Sequence, residues 1–195
     1  MSGFEFVLVL YSIIAGLGIS EILSGWGEQI RARHRMSVYP LQIALSLLLM
    51  FYGTTFLWAF WTFRDNVWTF SLYLSLAALP MIISLASRVI RVDTSIDAPP
   101  PKEQYFHSAR PVFLLLSLVP ATLVLLSFAS ALGDSVLDRP DIVQLTTVRL
   151  LICIGMLYLA WSRRALVHWV GIGTLFLITV QLSARLTVRA IEGGL

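Results

Sequence analysis

The stretch MSVYPLQIALSLLLMFYGTTFLWAFWTF, residues 36–63, contains no Asp, Glu, Lys or Arg. About 20 consecutive apolar residues are enough for an α-helix to cross the roughly 30 Å hydrocarbon core of a bilayer. Because lipid offers no partner to backbone N–H and C=O groups, such a stretch must close its hydrogen bonds within itself, as a helix does. Residues 47–51 do not alternate polar and apolar side chains, which a strand of a membrane barrel requires. Residues 36–63 therefore predict a membrane-spanning helix.

Five further runs of the same kind surround this one. Residues 66–87, 111–133 and 165–184 are also free of charged side chains, and residues 6–27 and 142–162 contain one charge each, Glu21 and Arg149. We therefore expect an all-α integral membrane protein, a single bundle of about six transmembrane helices that forms one domain over residues 1–195. The predicted spans cover residues 4–29, 38–63, 67–90, 111–133, 141–161 and 165–187.

The composition argues against a soluble domain. Hydrophobic residues make up 57% of the chain and charged residues 13%, and the mean hydropathy is +0.82, whereas soluble domains carry about 25% charged residues. The arginines lie at the ends of apolar runs, which favours contact with anionic lipid head groups and argues against a nucleic-acid partner. The single cysteine, Cys153, cannot form an intrachain disulfide.

The distribution of basic residues predicts the orientation. By the positive-inside rule, the connections after predicted spans 1, 3 and 5 face the cytoplasm, and both termini face outward from a bacterial inner membrane. The opposite connections carry only Arg64 and Arg139, while Arg185 and Arg189 near the C-terminus oppose the assignment. The longest predicted loop, residues 92–109, lies on the cytoplasmic side and contains three consecutive prolines, which stop a helix. The basic residues of the cytoplasmic set are Arg31, Arg33, Arg35, Arg88, Arg91, Lys102, Arg110, Arg163 and Arg164.

The charges inside the predicted spans are candidates for a functional site. Glu21 and Arg149 each lie about 12 Å inside the end of their span, at 1.5 Å per residue. A charge at that depth pairs, protonates or faces a watery cavity. A Glu21–Arg149 pair is one hypothesis. In the alternatives, Glu21 has another structural partner, and Arg149 extends toward Asp138 or Asp141 or contacts a ligand.

Glu28 and Gln181 complete the set of intramembrane polar candidates. Glu28 lies two helical turns beyond Glu21 on the same face. The two carboxylates would together mark an acidic cytoplasmic vestibule. Gln181 lies in the outer half of predicted span 6, where the usual role of such a side chain is a hydrogen bond between helices.

Predicted span 1 also carries a small residue at every fourth position, namely Ser12, Gly16, Ser20 and Ser24. Small side chains at this spacing let two membrane helices approach closely. We expect this face to pack against protein, either within the chain or between subunits. The alternative is a wall of small residues beside a polar path. Gly18 and Gly25 lie on the adjoining face.

The sequence contains no GxxxxGK[ST], HExxH, GxSxG or TVGYG motif. We expect no catalytic residue, no metal and no cofactor. A small channel or transporter, built on the Glu21–Arg149 pair and oligomeric, is the first functional hypothesis. The alternative is a non-catalytic accessory or assembly subunit of a larger membrane complex, and a membrane enzyme acting on lipid or quinone is the least favoured. The expected partners are the lipid bilayer and either a second copy of the chain or another membrane protein.

Overall fold

The computed structural model describes residues 3–34, 37–59, 70–95, 97–131 and 140–192. Within these ranges the chain forms six α-helices and no strand, which confirms the all-α part of the predicted fold class. The helices are α1 (Gly3–Arg31), α2 (Pro40–Ala59), α3 (Phe70–Val89), α4 (Pro101–Ala131), α5 (Pro140–Trp161) and α6 (Ala165–Glu192).

The fourth helix begins at Pro101 rather than at residue 111, so the expectation of a loop over residues 92–109 is wrong for its second half. Pro101 occupies the first helical position, where its missing N–H removes no hydrogen bond. The carbonyl oxygen of Pro100 accepts hydrogen bonds from the N–H groups of Glu103 and Gln104, at 2.8 and 3.1 Å. Glu103 also places a negative charge in the first turn, where the helix dipole favours it. The last of the three prolines therefore starts a helix.

Side chains hold the remaining loop between α3 and α4. Gln104 Nε2 donates to the carbonyl oxygens of Pro99 at 2.7 Å and Asp93 at 3.1 Å, and Gln104 Oε1 accepts from the Asp93 N–H at 2.9 Å. The Ser95 N–H donates to the Asp93 carboxylate at 2.9 Å, and hydrogen bonding by Ser95 lowers the pKa of Asp93. These contacts tie the end of α3 to the start of α4.

All six helices contribute to one core of apolar side chains, α1 through Ile22. A second cluster joins α1 to α3 and α4 through Tyr11, Leu79 and Val119. Pro80 and Pro120 lie inside α3 and α4. The largest apolar side chains of the first core with almost no exposed surface are Tyr105, Phe113, Leu41, Leu45, Leu48, Leu49, Leu116 and Met156.

Helix α1 packs on α3 through the face that carries Gly18. A Cβ atom at Gly18 would lie only 3.1 Å from the Cα atom of Ser84, so the two backbones approach each other closely at this point. Tyr11 extends the contact to α2, because its hydroxyl donates to the carbonyl oxygen of Gly53 at 3.1 Å. The buried residues on this face of α1 recur at steps of three and four, as one side of a helix requires: Tyr11, Ala15, Gly18, Ile22 and Gly25.

The stripe of Ser12, Gly16, Ser20 and Ser24 lies on the outward side of α1, where all four residues are exposed. A Cβ atom at Gly16 would meet nothing within 4 Å. The expectation that this face packs within the chain is therefore wrong, because the Gly18 face makes the contact with α3. An interface between subunits stays a prediction.

The described helices differ in the length of their apolar part. Two of them are long and apolar enough to cross a membrane, over Phe4–Arg31 and Pro101–Leu125. The other apolar stretches are shorter and fall within predicted spans 2, 3, 5 and 6; they cover Pro40–Phe56, Leu76–Val89, Thr146–Trp161 and Ala165–Gln181. The segments 60–69 and 132–139, which include Arg64 and Arg139, lie outside the described residues.

The close approach at Gly18 predicts a position-specific loss of stability. Gly18→Leu forces α1 away from the Ser84 backbone and should lower the free energy of unfolding by about 1–3 kcal/mol, the usual cost of overpacking. Gly155→Leu on α5 is the matched control, since it makes the same change of residue type at a helical position where a Cβ atom meets nothing within 4 Å. Thermal unfolding of the purified chain measures both variants. Equal stabilities would contradict the α1–α3 contact.

Candidate functional site at the charged end of the bundle

Six helix termini meet at one end of the bundle, which we call the charged end. It comprises the last turns of α1, α3 and α5 and the first turns of α2, α4 and α6. Ring contacts join Tyr39 beside α2 to Tyr105 on α4 at 5.3 Å, and Tyr105 to His168 on α6 at 5.4 Å. Arg91 after α3 pairs with Glu28 on α1. The basic residues at this end for which the structure describes the side chain are Arg31, Arg33, Arg88, Arg91, Lys102, Arg110, Arg163 and Arg164.

Glu21 and Glu28 form an ionic ladder with the arginines at the end of α3. The Glu21 carboxylate lies 3.6 Å from Arg88 Nε and 3.6 Å from Arg91 Nη1. Arg91 also donates two hydrogen bonds to the Glu28 carboxylate, one from Nε at 3.2 Å and one from Nη2. The pKa of the Arg91 guanidinium is raised, first by the hydrogen bond to Glu28 and then by the negative charge of the same carboxylate.

This ladder contradicts the hypothesis of a Glu21–Arg149 pair and agrees with the alternative in which Glu21 has another structural partner. Its carboxylate is paired with Arg88 and Arg91 instead of Arg149. Arg88 lies in the last turn of α3, whereas α1 continues ten residues beyond Glu21 to Arg31, about 15 Å at 1.5 Å per residue. The last turns of α1 run beyond the end of α3, and Glu21 lies level with that end. Glu28, the second carboxylate of the predicted acidic vestibule, forms an ion pair with Arg91.

Arg149 and Gln181 lie away from the ladder. The Arg149 guanidinium is partly buried between α5 and α4, and its Nη1 donates to the carbonyl oxygen of Leu123 at 3.2 Å. The long stem of arginine allows it to reach a backbone carbonyl on the neighbouring helix. Gln181 is exposed on α6. The structure therefore does not bring the four polar candidates together; it joins Glu21 and Glu28 through Arg91 and leaves Arg149 and Gln181 elsewhere.

A buried hydrogen-bonded chain joins α4 to the turn between α5 and α6, and sequence reasoning missed it. His168 Nε2 lies 2.9 Å from the carbonyl oxygen of Ser162, and His168 Nδ1 lies 2.7 Å from the Tyr105 hydroxyl. Since a carbonyl oxygen only accepts, Nε2 carries a proton, and in the neutral imidazole Nδ1 then accepts from the Tyr105 hydroxyl. The rings of Phe106 and Phe113 pack edge-on against the imidazole, at 5.2 and 5.5 Å.

The position of His168 in the sequence was the signal from which these hydrogen bonds could have been predicted. It is the one histidine inside a predicted span. His34 lies just after α1 and His107 lies on α4, and both are exposed. A buried imidazole needs hydrogen-bond partners. The sequence offers Ser162 nearby, but Tyr105 becomes visible as a partner only when α4 begins at Pro101.

Gln42 is the second polar group that the sequence did not single out. Its side chain is buried, and Nε2 donates to the carbonyl oxygen of Ile90 at the end of α3. In the part of the chain that the structure describes, Gln42 Oε1 has no hydrogen-bond partner. Gln42 lines a small cleft at the charged end together with Gln29, Tyr39 and Thr94. The amide fastens α2 to α3.

The charged end therefore contains ionic and hydrogen-bonded clamps between helices. The described residues include no group of three or more His, Cys, Asp or Glu side chains that could hold a metal ion. A scan against protein-family models and searches of curated proteins and of solved structures found no match to this chain. The function is therefore inferred from the chain's own chemistry.

The hydrogen bond from Tyr105 to His168 predicts a measurable contribution to stability. Tyr105→Phe keeps the ring but leaves His168 Nδ1 buried without its donor, which should lower the free energy of unfolding by about 1–3 kcal/mol. Tyr158→Phe is the matched control, because Tyr158 is exposed on α5 and surface changes usually stay within about 0.5 kcal/mol. Chemical denaturation of the two variants tests the difference. A loss in Tyr105→Phe no larger than in the control would refute the clamp.

Proposed function

We propose that this chain is a multi-pass protein of the bacterial inner membrane and serves as a non-catalytic accessory or assembly subunit of a larger membrane complex. The observation that carries the proposal is the distribution of its surface. Large apolar side chains are exposed along the sides of the helices, and the described ion pairs lie at the charged end.

The exposed apolar side chains come from helices all around the bundle. Ile13 on α1 is 58% exposed, Leu125 on α4 68%, Leu151 on α5 63% and Leu177 on α6 68%. Soluble monomers rarely expose contiguous apolar patches larger than a few hundred Å². A lipid bilayer covers such a surface without cost, since lipid tails are as apolar as leucine. The lipid bilayer is therefore the first partner that we propose.

The charged end supports the predicted orientation. Its exposed Lys and Arg side chains favour the cytoplasmic side, which attracts basic residues through the positive-inside rule and the negative surface potential of the inner leaflet. In this orientation both termini face outward. The ladder of Glu21 and Glu28 then lies at the cytoplasmic interface.

Two features favour an accessory subunit. The interior of the bundle is filled by large apolar side chains such as Leu48 on α2 and Phe113 and Leu116 on α4. The outward stripe of α1, with Gly16 at its centre, offers the small-residue surface on which a second membrane helix packs closely. The partner is a helix of another membrane protein or of a second copy of this chain.

A channel or transporter is the second candidate, and Arg149 is the observation that favours it. The partly buried Arg149 guanidinium donates a hydrogen bond to the backbone of α4. Such a charge at membrane depth is typical of an ion or solute pathway. This candidate no longer draws on a Glu21–Arg149 pair. It requires that solute flux depend on Arg149.

The experiment compares the same substitution on two exposed helix faces. Gly16→Leu should reduce the mass of the assembly isolated from membranes in mild detergent, because leucine blocks a helix that packs on the stripe. Gly155→Leu on α5 is the matched control, since a Cβ atom there also meets nothing within 4 Å. Light scattering of the purified assemblies gives both masses.

Equal masses for wild type and both variants would refute the stripe as an interface. The Arg149→Gln variant in liposomes tests the second candidate, and the accessory role predicts that solute and ion flux do not change. A fall in flux without a change in mass would favour transport.

A further inference from the structure

A second cluster of arginines at the charged end differs from the ionic ladder. The guanidinium carbon of Arg110 on α4 lies 5.2 Å from the centre of the Trp161 ring, a cation–π contact. Arg163 and Arg164 follow Trp161 in the short turn between α5 and α6, and both are exposed. We call these four residues the α5–α6 corner.

The positive charge of the α5–α6 corner is not neutralised by the acidic residues that the structure describes. The ion pairs in the described ranges join Glu21 and Glu28 to Arg88 and Arg91, on the other side of the charged end. Arg110 is held by an aromatic ring rather than by a carboxylate. The corner is therefore complementary to an anion.

The surroundings of the corner are apolar. Trp161 is 62% exposed, and Tyr158 on the preceding turn of α5 is also exposed. Leu166 and Trp169 are exposed on the first turns of α6. A ligand that fits both properties has an anionic head group and apolar chains, because the chains cover the helix sides while the head group meets the arginines. Indole rings prefer this level, where hydrocarbon meets head groups.

We propose that the α5–α6 corner binds the phosphodiester head group of an anionic phospholipid, with Arg110, Arg163 and Arg164 as its donors and Trp161 beside the acyl chains. This inference rests on the proposed membrane location and adds a lipid class to it. Arginine suits the role because its planar fork of N–H donors matches phosphate oxygens. The occupant is a membrane lipid rather than a free anion because the apolar rings of the corner are exposed beside its charges.

Tryptophan quenching by brominated lipids tests the proposal. The full chain is placed in phosphatidylcholine bilayers that contain either brominated phosphatidylglycerol or the same fraction of brominated phosphatidylcholine. The signal of Trp161 is the difference between wild type and the Trp161→Phe variant. We expect stronger quenching of Trp161 by the anionic lipid. The preference should fall about fivefold for each arginine changed to glutamine, which corresponds to about 1 kcal/mol per basic residue near an anionic surface.

The control variant removes the same charge from the same end of the bundle. Changing Arg31, Arg33 and Lys102 together to glutamine should leave the preference of Trp161 intact, whereas changing Arg110, Arg163 and Arg164 should abolish it. An equal loss in both triple variants would show a general effect of positive charge and overturn the site. Inorganic phosphate added at constant ionic strength should not relieve the quenching of Trp161 by the anionic lipid. Relief of the quenching by phosphate would overturn the choice of a lipid.

Membrane insertion is scored separately by resistance of the wild-type chain to alkaline carbonate extraction. A chain that resists extraction but is quenched equally by both lipids overturns the lipid site and leaves the membrane proposal standing. A chain that carbonate releases overturns both.

Discussion

The close approach of α1 to the α3 backbone at Gly18 decides which face of α1 is buried, and the pairs of Glu21 and Glu28 with Arg88 and Arg91 lie in the same register. With Glu21 level with the end of α3, Gly18 lies against the Ser84 backbone. Because a helix presents one face to its neighbour, the serines and Gly16 of the stripe then point outward. The same register lets the last turns of α1 extend beyond the end of α3.

The ladder also divides the charged end into two parts with different properties. On the α1–α3 side, Glu21 and Glu28 pair with Arg88 and Arg91, so these residues act as a clamp between the two helices. On the α5–α6 side, the arginines lie beside exposed aromatic rings. Under the membrane proposal, the first part holds the bundle together at the cytoplasmic interface and the second part meets the lipid head groups.

The helices were predictable from sequence because they depend on local composition. Long apolar runs predicted the existence and approximate place of every helix in the described ranges. The start of α4 was missed because a run of prolines is also typical of a loop, and only its hydrogen bonds at Pro100 and Gln104 show where the helix begins.

The side-chain partners were not predictable in the same way, because they depend on which helices are neighbours. Opposite charge suggested Arg149 as the partner of Glu21, but α3 lies beside α1 and supplies Arg88 and Arg91. Span 1 carries two faces of small residues, and spacing alone does not decide which one packs. The bond between Tyr105 and His168 joins residues 63 positions apart, so it depends on the packing of α4 against α6.

The central claim is that the bundle spans a membrane with its charged end in the cytoplasm. Paired reporter fusions test it most directly, with alkaline phosphatase, which is active only outside the inner membrane, and a fluorescent protein, which folds in the cytoplasm. Each is inserted after Pro100 in the α3–α4 loop and, separately, after Leu195. The account predicts fluorescence without phosphatase activity at Pro100 and phosphatase activity without fluorescence at Leu195. The same reporter active at both positions would contradict it.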